Sequence, residues 1–151
     1  MGKVFLIVFF ILLDQTSKIA IVKKLYQNES IPIISNVFHI TLVYNSGSAF
    51  GFFRNQNWIL IYISVFAIIF LLFLFVRRPK FKSYFYLHTW HFALLLILCG
   101  ATGNLIDRIR LGYIVDFLDF RIWPVFNFAD VMITGGVFFL LFILFKKGVL
   151  A

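Results

Sequence analysis

The sequence predicts an all-α membrane protein with four transmembrane helices and a small extracytoplasmic β element. Hydrophobic residues make up 62% of the 151 residues and charged residues only 13%. A typical soluble domain is about 45–50% apolar and about 25% charged. A chain this short could not bury so much apolar surface in water, so lipid is its expected solvent. The second observation is a series of four long apolar stretches, and the third is a segment rich in β-branched and aromatic residues between the first two stretches.

The four apolar stretches are each close to the length needed for a membrane span, which is about 20 helical residues. Residues 58–76 and 86–106 contain no Asp, Glu, Lys or Arg, and residues 127–145 contain only Asp130. Residues 4–22 are interrupted by Asp14, Lys18 and the polar residues between them, but both flanks are strongly apolar. We therefore predict a single membrane-embedded domain over residues 1–151 with spans near these four ranges.

The β element is expected over residues 37–53. Val37–Tyr44 is rich in β-branched and aromatic residues, which favour strands. Asn45–Ser48 carries a turn signal, and Ala49–Phe53 is a second short apolar run. This pattern predicts a small β structure lying on the membrane surface.

The charges predict the orientation in the membrane. Four spans place both termini on one side, and seven Lys and Arg residues fall on each side of the predicted bundle. The positive residues of the 77–82 loop form the densest cluster, which favours a cytoplasmic location for that loop and for both termini. The net charge of +8 is thus explained by membrane flanks, and no nucleic-acid partner is predicted. All six acidic residues then lie at or beyond the opposite, extracytoplasmic face.

Ionisable residues within spans are costly and indicate function. Asp14 and Lys18 are four residues apart, so they share a helix face and can pair. Gly100, Asn104, Asp107 and Arg108 follow a helical spacing and form a polar stripe in the third span. The glycines at 100 and 103 allow close helix contact. Polar packing between helices, or an Asp107–Arg108 pair, would also explain this stripe.

Asp116 and Asp130 are candidates for paired carboxylates. Asp130 begins the fourth span, with Asn127 three residues before it, while Asp116 lies in the segment that follows the third span. Two carboxyl groups brought close together share one proton, and such a pair can activate water and polarise a carbonyl group. Asp119 is a rival to Asp116, and composition alone does not choose between them.

Other chemistries are less well supported by the spacing. His88 and His91 could bind a metal. However, 16 residues of helix separate His91 from Asp107, which corresponds to about 24 Å of helical rise. The histidines are therefore too far away to join the acidic residues in one site. Ser46 or Ser48 with Lys18 would make a Ser-Lys nucleophile, although a turn already explains both serines. A small proton-coupled transporter and a lipid-binding scaffold are the alternatives from other functional classes. No inverted repeat typical of transporters is visible.

Five segments of the chain are similar, in order and spacing, to the motifs of the lipoprotein signal peptidase (signal peptidase II) family. They are Asp14-Gln15-Thr16-Ser17-Lys18, Asn45-Ser46-Gly47-Ser48-Ala49-Phe50, Gly103-Asn104-Leu105-Ile106-Asp107-Arg108, Val115-Asp116-Phe117 and Phe126-Asn127-Phe128-Ala129-Asp130. The resemblance extends over essentially the whole chain.

The resemblance implies an aspartic-type peptidase in a bacterial inner or plasma membrane, with Asp116 and Asp130 as the catalytic dyad and no metal or other cofactor. It further implies that the substrate is a prolipoprotein whose cysteine carries diacylglycerol and that cleavage occurs just before this cysteine. Globomycin-type cyclic peptides are implied to inhibit the enzyme. The family fold, a four-helix bundle with an extracytoplasmic β-cradle, agrees with the predicted fold class. The residues implied to shape or support the site are Asp14, Lys18, Asn45, Gly47, Asn104, Asp107, Arg108, Asn127 and Ala129.

Overall fold

The computed structural model describes residues 2–47, 53, 56–77, 79–81 and 83–146. Within these ranges the chain forms four long helices and one three-stranded antiparallel sheet. All four helices are long and apolar enough to cross a membrane, so the predicted fold class is confirmed. In chain order the elements are α1 (Gly2–Lys24), β1 (Ser30–Ile34), β2 (Phe38–Asn45), α2 (Asn57–Val76), α3 (Tyr84–Leu111), β3 (Ile114–Asp119) and α4 (Phe128–Phe145).

Helix α3 is the centre of the bundle. It packs against α1, α2 and α4, and its contact with α4 is the most extensive between any two elements. The buried positions of α3 include Ala93, Leu94, Cys99, Asn104 and Asp107. In contrast, α2 buries only Leu60, and many of its other apolar side chains are exposed, where lipid can solvate them as well as a protein core would.

Glycines allow the close packing of α3 on its neighbours. A Cβ atom on Gly100 would overlap the carbonyl oxygen of Ala129, and one on Gly103 would lie 2.6 Å from Asp14 Oδ2. The predicted close approach at these two glycines is therefore present, and it brings the polar residues of α1, α3 and α4 together.

The sheet has the order β1-β2-β3. Antiparallel pairing aligns Val43 of β2 with Asp116 of β3, and Ile31 of β1 with Ile40 of β2. Strand β2 falls inside the predicted β segment, but both of its partners come from outside that segment. Strand β3 is formed by the residues around Asp116, where no strand was predicted. Of the predicted Ala49–Phe53 run, the structure describes only Phe53, and the other residues lie outside the described ranges.

Leu25, Leu42 and Val115 form a small apolar core that attaches the sheet to the end of α1. A second cluster, formed by Leu95, Leu96, Cys99, Ala129 and Met132, lies between α3 and α4. The sheet is thus fixed to the same end of the bundle as the start of α4. This placement brings Asp116 on β3 to the level of Asp130 in the first turn of α4.

Candidate active site

Asn127 links the two candidate carboxylates. Its side-chain nitrogen donates to Asp116 Oδ1 at 2.7 Å, and its backbone N–H donates to Asp130 Oδ2 at 3.1 Å. It is also the N-cap of α4, because its side-chain oxygen accepts from the backbone N–H of Asp130 at 3.0 Å. Such a reciprocal capping box satisfies two backbone donors at a helix start. Asn127 is completely buried. Through these hydrogen bonds it holds the carboxylates of Asp116 and Asp130 near each other.

Each carboxylate receives a further amide hydrogen bond. Asn45 Nδ2 donates to Asp116 Oδ2 at 2.9 Å, and Asn104 Nδ2 donates to Asp130 Oδ1 at 2.8 Å. Asn45 is itself held by Gly47, whose backbone N–H donates to Asn45 Oδ1 at 3.0 Å. Because this bond uses the oxygen of the Asn45 side-chain amide, the NH₂ group of Asn45 is the end that faces Asp116. All four carboxylate oxygens of the pair therefore accept from N–H groups.

Burial changes the acidity of Asp116. The side chain is 2% exposed, and burial, followed by the nearby charge of Asp130, raises its pKa to about 7. The hydrogen bonds from Asn45 and Asn127 and the charge of Lys18 act in the opposite direction but are weaker. A proton is thus readily held on Asp116 near neutral pH, as expected for one member of a carboxylate pair.

Asp119 has a different environment. Its carboxylate accepts from Thr41 Oγ1 at 2.7 Å and from the backbone N–H and guanidinium of Arg121. Burial acts to raise its pKa, but these hydrogen bonds and the charge of Arg121 together lower it. Asp119 forms an ion pair with Arg121, and its carboxylate is buried. Asp119 therefore links Thr41 on β2 to Arg121 at the start of the segment between β3 and α4.

A buried polar cluster lies behind Asp130. Lys18 Nζ contacts Asp14 Oδ2 at 2.8 Å, Asp107 Oδ2 at 2.9 Å and Asn104 Oδ1 at 3.1 Å. The predicted Asp14–Lys18 pair is present, and Lys18 forms a second ion pair with Asp107. The alternative of an Asp107–Arg108 pair is wrong, because Asp107 bonds to Lys18, Gln15 and the backbone N–H of Val115.

This cluster connects the elements that carry the candidate carboxylates. Asp14 Oδ1 on α1 accepts from the backbone N–H of Ala129 in the first turn of α4 at 2.9 Å. Asp107 Oδ2 on α3 accepts from the N–H of Val115, next to Asp116, at 3.3 Å. Gln15 donates to Asp14, Asp107 and the carbonyl oxygen of Gly103. Gln15 lies within the first of the five motifs but was not predicted as a site residue; only its contacts reveal its supporting position.

A cavity of about 850 Å³ opens beside the two carboxylates. Its polar lining includes Asn45, Asn104, Arg108, Asp116 and Asp130. The positive charge of Arg108 interacts favourably with Asp130 and Asp116. The rest of the described lining is mainly apolar and comes largely from the chain between β3 and α4 and from the first turns of α4: Phe120, Ile122, Trp123, Pro124, Val125, Phe126, Val131 and Ile133.

Among the described residues, the side chains needed for a Ser-Lys nucleophile or a histidine metal site are not brought together in this way. All three contacts of Lys18 are with carboxylate or amide oxygens, so it is not directed at Ser46, and Ser48 lies outside the described residues. His88 lines a separate aromatic groove between α3 and α4. Within the described ranges, no group of three or more His, Cys, Asp or Glu side chains is arranged to hold a metal ion.

Comparison with known proteins places the chain in a family. The family described as signal peptidase (SPase) II matches residues 6–146. The chain belongs to the signal peptidase II family. The lipoprotein signal peptidase of Halothermothrix orenii is 46% identical over 137 residues, covering 91% of this chain and 90% of the relative. That of Clostridioides difficile is 44% identical over 146 residues, covering 94% of each.

Two solved structures described as bacterial membrane enzymes, determined by the in meso method, share the fold. The first superimposes with a TM-score of 0.83 at 27% identity, covering 99% of this chain and 94% of the other. The second gives 0.82 at 29% identity, covering 97% and 94%. Together with the four apolar helices, they identify this member of the signal peptidase II family as a multi-pass bacterial membrane protein.

Proposed function

We propose that the protein is a membrane aspartic endopeptidase that removes the signal peptide from diacylglyceryl-modified prolipoproteins, cleaving just before the lipidated cysteine. Membership in the signal peptidase II family supports the reaction class, and the names of its relatives support prolipoproteins as substrates. The proposed unit is the whole chain, which acts as one membrane-embedded peptidase domain.

The observation that carries this proposal is the bridge from Asp116 through Asn127 to Asp130 on the wall of the cavity. An aspartic mechanism needs one ionised and one protonated carboxyl beside the scissile bond. Burial and the neighbouring Asp130 raise the pKa of Asp116 to about 7, which suits the protonated role. Asp130 lies in the first turn of α4 and accepts two N–H groups, and the positive end of the helix dipole further favours its negative charge.

In the proposed reaction, ionised Asp130 removes a proton from a water molecule while the water oxygen attacks the scissile carbonyl carbon. Asp116 donates its proton to the carbonyl oxygen, which gives a neutral tetrahedral intermediate. As this intermediate collapses, the C–N bond breaks, Asp130 gives its proton to the leaving amine of the lipidated cysteine, and one hydroxyl of the intermediate returns a proton to Asp116, which restores the dyad. Asn45, Asn104 and Asn127 keep the two carboxylates in place throughout.

The cavity lining supports a lipid-bearing substrate. Ile122 and Trp123 are 93% and 62% exposed, and both line the cavity beside the carboxylates. Acyl chains or the apolar part of a signal peptide can lie against such a wall favourably, because apolar surface leaves water and no polar group has to be desolvated there. We expect Arg108 to bind a polar group of the substrate, and globomycin-type cyclic peptides to compete for the same cavity.

The proposed orientation has both termini in the cytoplasm and the dyad at the extracytoplasmic face. The dense positive cluster of the 77–82 loop supports it, because cytoplasmic loops are enriched in Lys and Arg. Asp130 lies in the first turn of α4, at the end of the bundle away from that loop. A lipidated cysteine anchored in the outer leaflet would present its peptide bond at this depth.

The direct test is to incubate the purified protein with a diacylglyceryl-modified prolipoprotein and measure release of the signal peptide. We expect cleavage on the amino side of the lipidated cysteine, inhibition by globomycin, and no cleavage of the same precursor without lipid. Protein that unfolds cooperatively on heating but never releases the peptide would reject the proposed activity.

A further inference from the structure

We infer that Lys18 is a positioning residue which, through the amide of Asn104, keeps Asp130 as the ionised member of the carboxylate pair. This inference rests on the function proposed above and adds a division of roles within its dyad. The described residues that line the cavity include Asn104, Asp116 and Asp130 but not Lys18. Lys18 therefore acts on the reaction only through a neighbour.

The orientation of the Asn104 amide follows from its partners. An ammonium group has only donors, so the contact of 3.1 Å with Lys18 Nζ requires the oxygen of Asn104. The NH₂ group of Asn127, 3.1 Å from the same oxygen, makes the same demand. The NH₂ group of Asn104 is then turned towards Asp130 Oδ1, at 2.8 Å.

A rotated Asn104 amide would be unfavourable while Lys18 is present. Its NH₂ group would face two donors, and its oxygen would face a carboxylate oxygen of Asp130. Asn104 therefore remains a donor to Asp130 whether or not Asp130 carries a proton. A fixed donor stabilises a carboxylate more than a carboxylic acid. Asp116 also accepts two amide donors, but only Asp130 of the two lies in the first turn of a helix, where the helix dipole adds to this donor and favours a negative charge. The shared proton is therefore directed to Asp116.

Lys18 has no freedom to adopt another arrangement. It is 2% exposed, and its three donors are matched by Asp14 Oδ2, Asp107 Oδ2 and Asn104 Oδ1. The charged groups around Asp130 are Lys18 and Asp14 on α1, Asp107 and Arg108 on α3, and Asp116 on β3. Within this set, only Lys18 combines a positive charge with a hydrogen bond to an amide that itself bonds to Asp130.

The test compares the pH dependence of cleavage in Lys18→Met and Gln15→Met proteins. Both substitutions remove polar contacts of the same cluster, but Gln15→Met leaves the path from Lys18 through Asn104 to Asp130 intact. For Lys18→Met we expect the acidic limb of kcat/KM to move up by about one pH unit, which lowers the rate about tenfold on that limb. KM should change little, because Lys18 does not line the cavity. Gln15→Met should lose thermal stability without a shift of the limb.

Asn104→Leu provides a second variant if Lys18→Met does not fold. It removes the amide donor to Asp130 without adding a charge, so its acidic limb should also move upwards. An unmoved limb in folded Lys18→Met or folded Asn104→Leu overturns the inference, as does an equal shift in Gln15→Met. Wild-type protein assayed in parallel separates these outcomes from failure of the proposed function, because an inactive wild type would reject the peptidase activity itself.

Discussion

Asn127 donates its side-chain amide to Asp116 at a distance of 2.7 Å, and both residues are almost inaccessible to solvent. The same Asn127 caps α4 and contacts Asp130 through its backbone. One residue thus joins the start of helix α4 to strand β3. This relationship explains how the proposed dyad is built from two elements of different type.

The first prediction concerns the two proposed catalytic carboxylates. Asp116→Asn and Asp130→Asn should each abolish cleavage, because neither variant can hold one proton between two carboxyl groups. Asp119→Asn should keep most of the activity and lose about 1 kcal/mol of stability, since its hydrogen bonds from Thr41 and Arg121 are weakened. Activity is measured as release of the signal peptide, with thermal unfolding in detergent as the folding control. Substantial cleavage by folded Asp130→Asn protein would reject the assignment.

The second prediction separates helix capping from dyad support at Asn127. Serine can cap a helix as asparagine does, whereas alanine cannot, and loss of a cap costs about 1 kcal/mol. Asn127→Ser should therefore be more stable than Asn127→Ala by about that amount. Both variants should lose cleavage, because neither side chain donates an amide hydrogen to Asp116. If Asn127→Ser cleaves at the wild-type rate, the bridge between the carboxylates is not required.

The third prediction follows from the raised pKa of Asp116. An aspartyl carboxyl ordinarily has a pKa of 3.8, and burial raises that of Asp116 to about 7 in the folded protein. Between these values the folded state holds a proton that the unfolded state has released, so stability falls as pH rises through this window. Each unit of pKa shift corresponds to about 1.4 kcal/mol. Thermal unfolding at pH 5 and pH 8 should show a larger loss for wild type than for Asp116→Asn. Equal losses would contradict a raised pKa at this position.

The fourth prediction concerns the buried cluster of Lys18, Asp14 and Asp107. Lys18→Ala leaves two buried carboxylates without their counter-charge, and removing one partner of a buried ion pair costs about 3–5 kcal/mol. We expect a clear decrease in thermal stability in detergent. Lys3→Ala is a matched control, because Lys3 is exposed near the start of α1. Wild-type stability of Lys18→Ala would show that the cluster is not structural.

The fifth prediction tests the orientation in the membrane. In a background with Cys99→Ala, cysteines are placed at Gln27, between α1 and β1, and at Lys80, between α2 and α3. Both positions are exposed. A membrane-impermeant thiol reagent should label intact cells carrying Gln27→Cys but not those carrying Lys80→Cys. Lysed cells should be labelled at both positions. The reverse pattern in intact cells would overturn the proposed orientation.

The sequence by itself determined the four membrane helices, because hydropathy and span length are properties of continuous segments. Asp14 and Lys18 also paired as their spacing predicted, since an i,i+4 contact needs only a helix. The five ordered motifs indicated the family, and through that resemblance they predict Asp116 rather than Asp119 as a catalytic residue.

Tertiary structure alone decided the remainder of the candidate site. Lys18 reaches Asn104 across 86 positions of the chain, and Gln15 reaches Asp107 across 92. Such contacts depend on how α1 and α3 are rotated and how closely Gly103 lets them approach, which no local pattern specifies. Asp107 accordingly bonds to Lys18 rather than to its sequence neighbour Arg108. Strand β3 likewise depends on distant partners in β2, because a short strand is stabilised by its neighbours across the sheet more than by its own propensity.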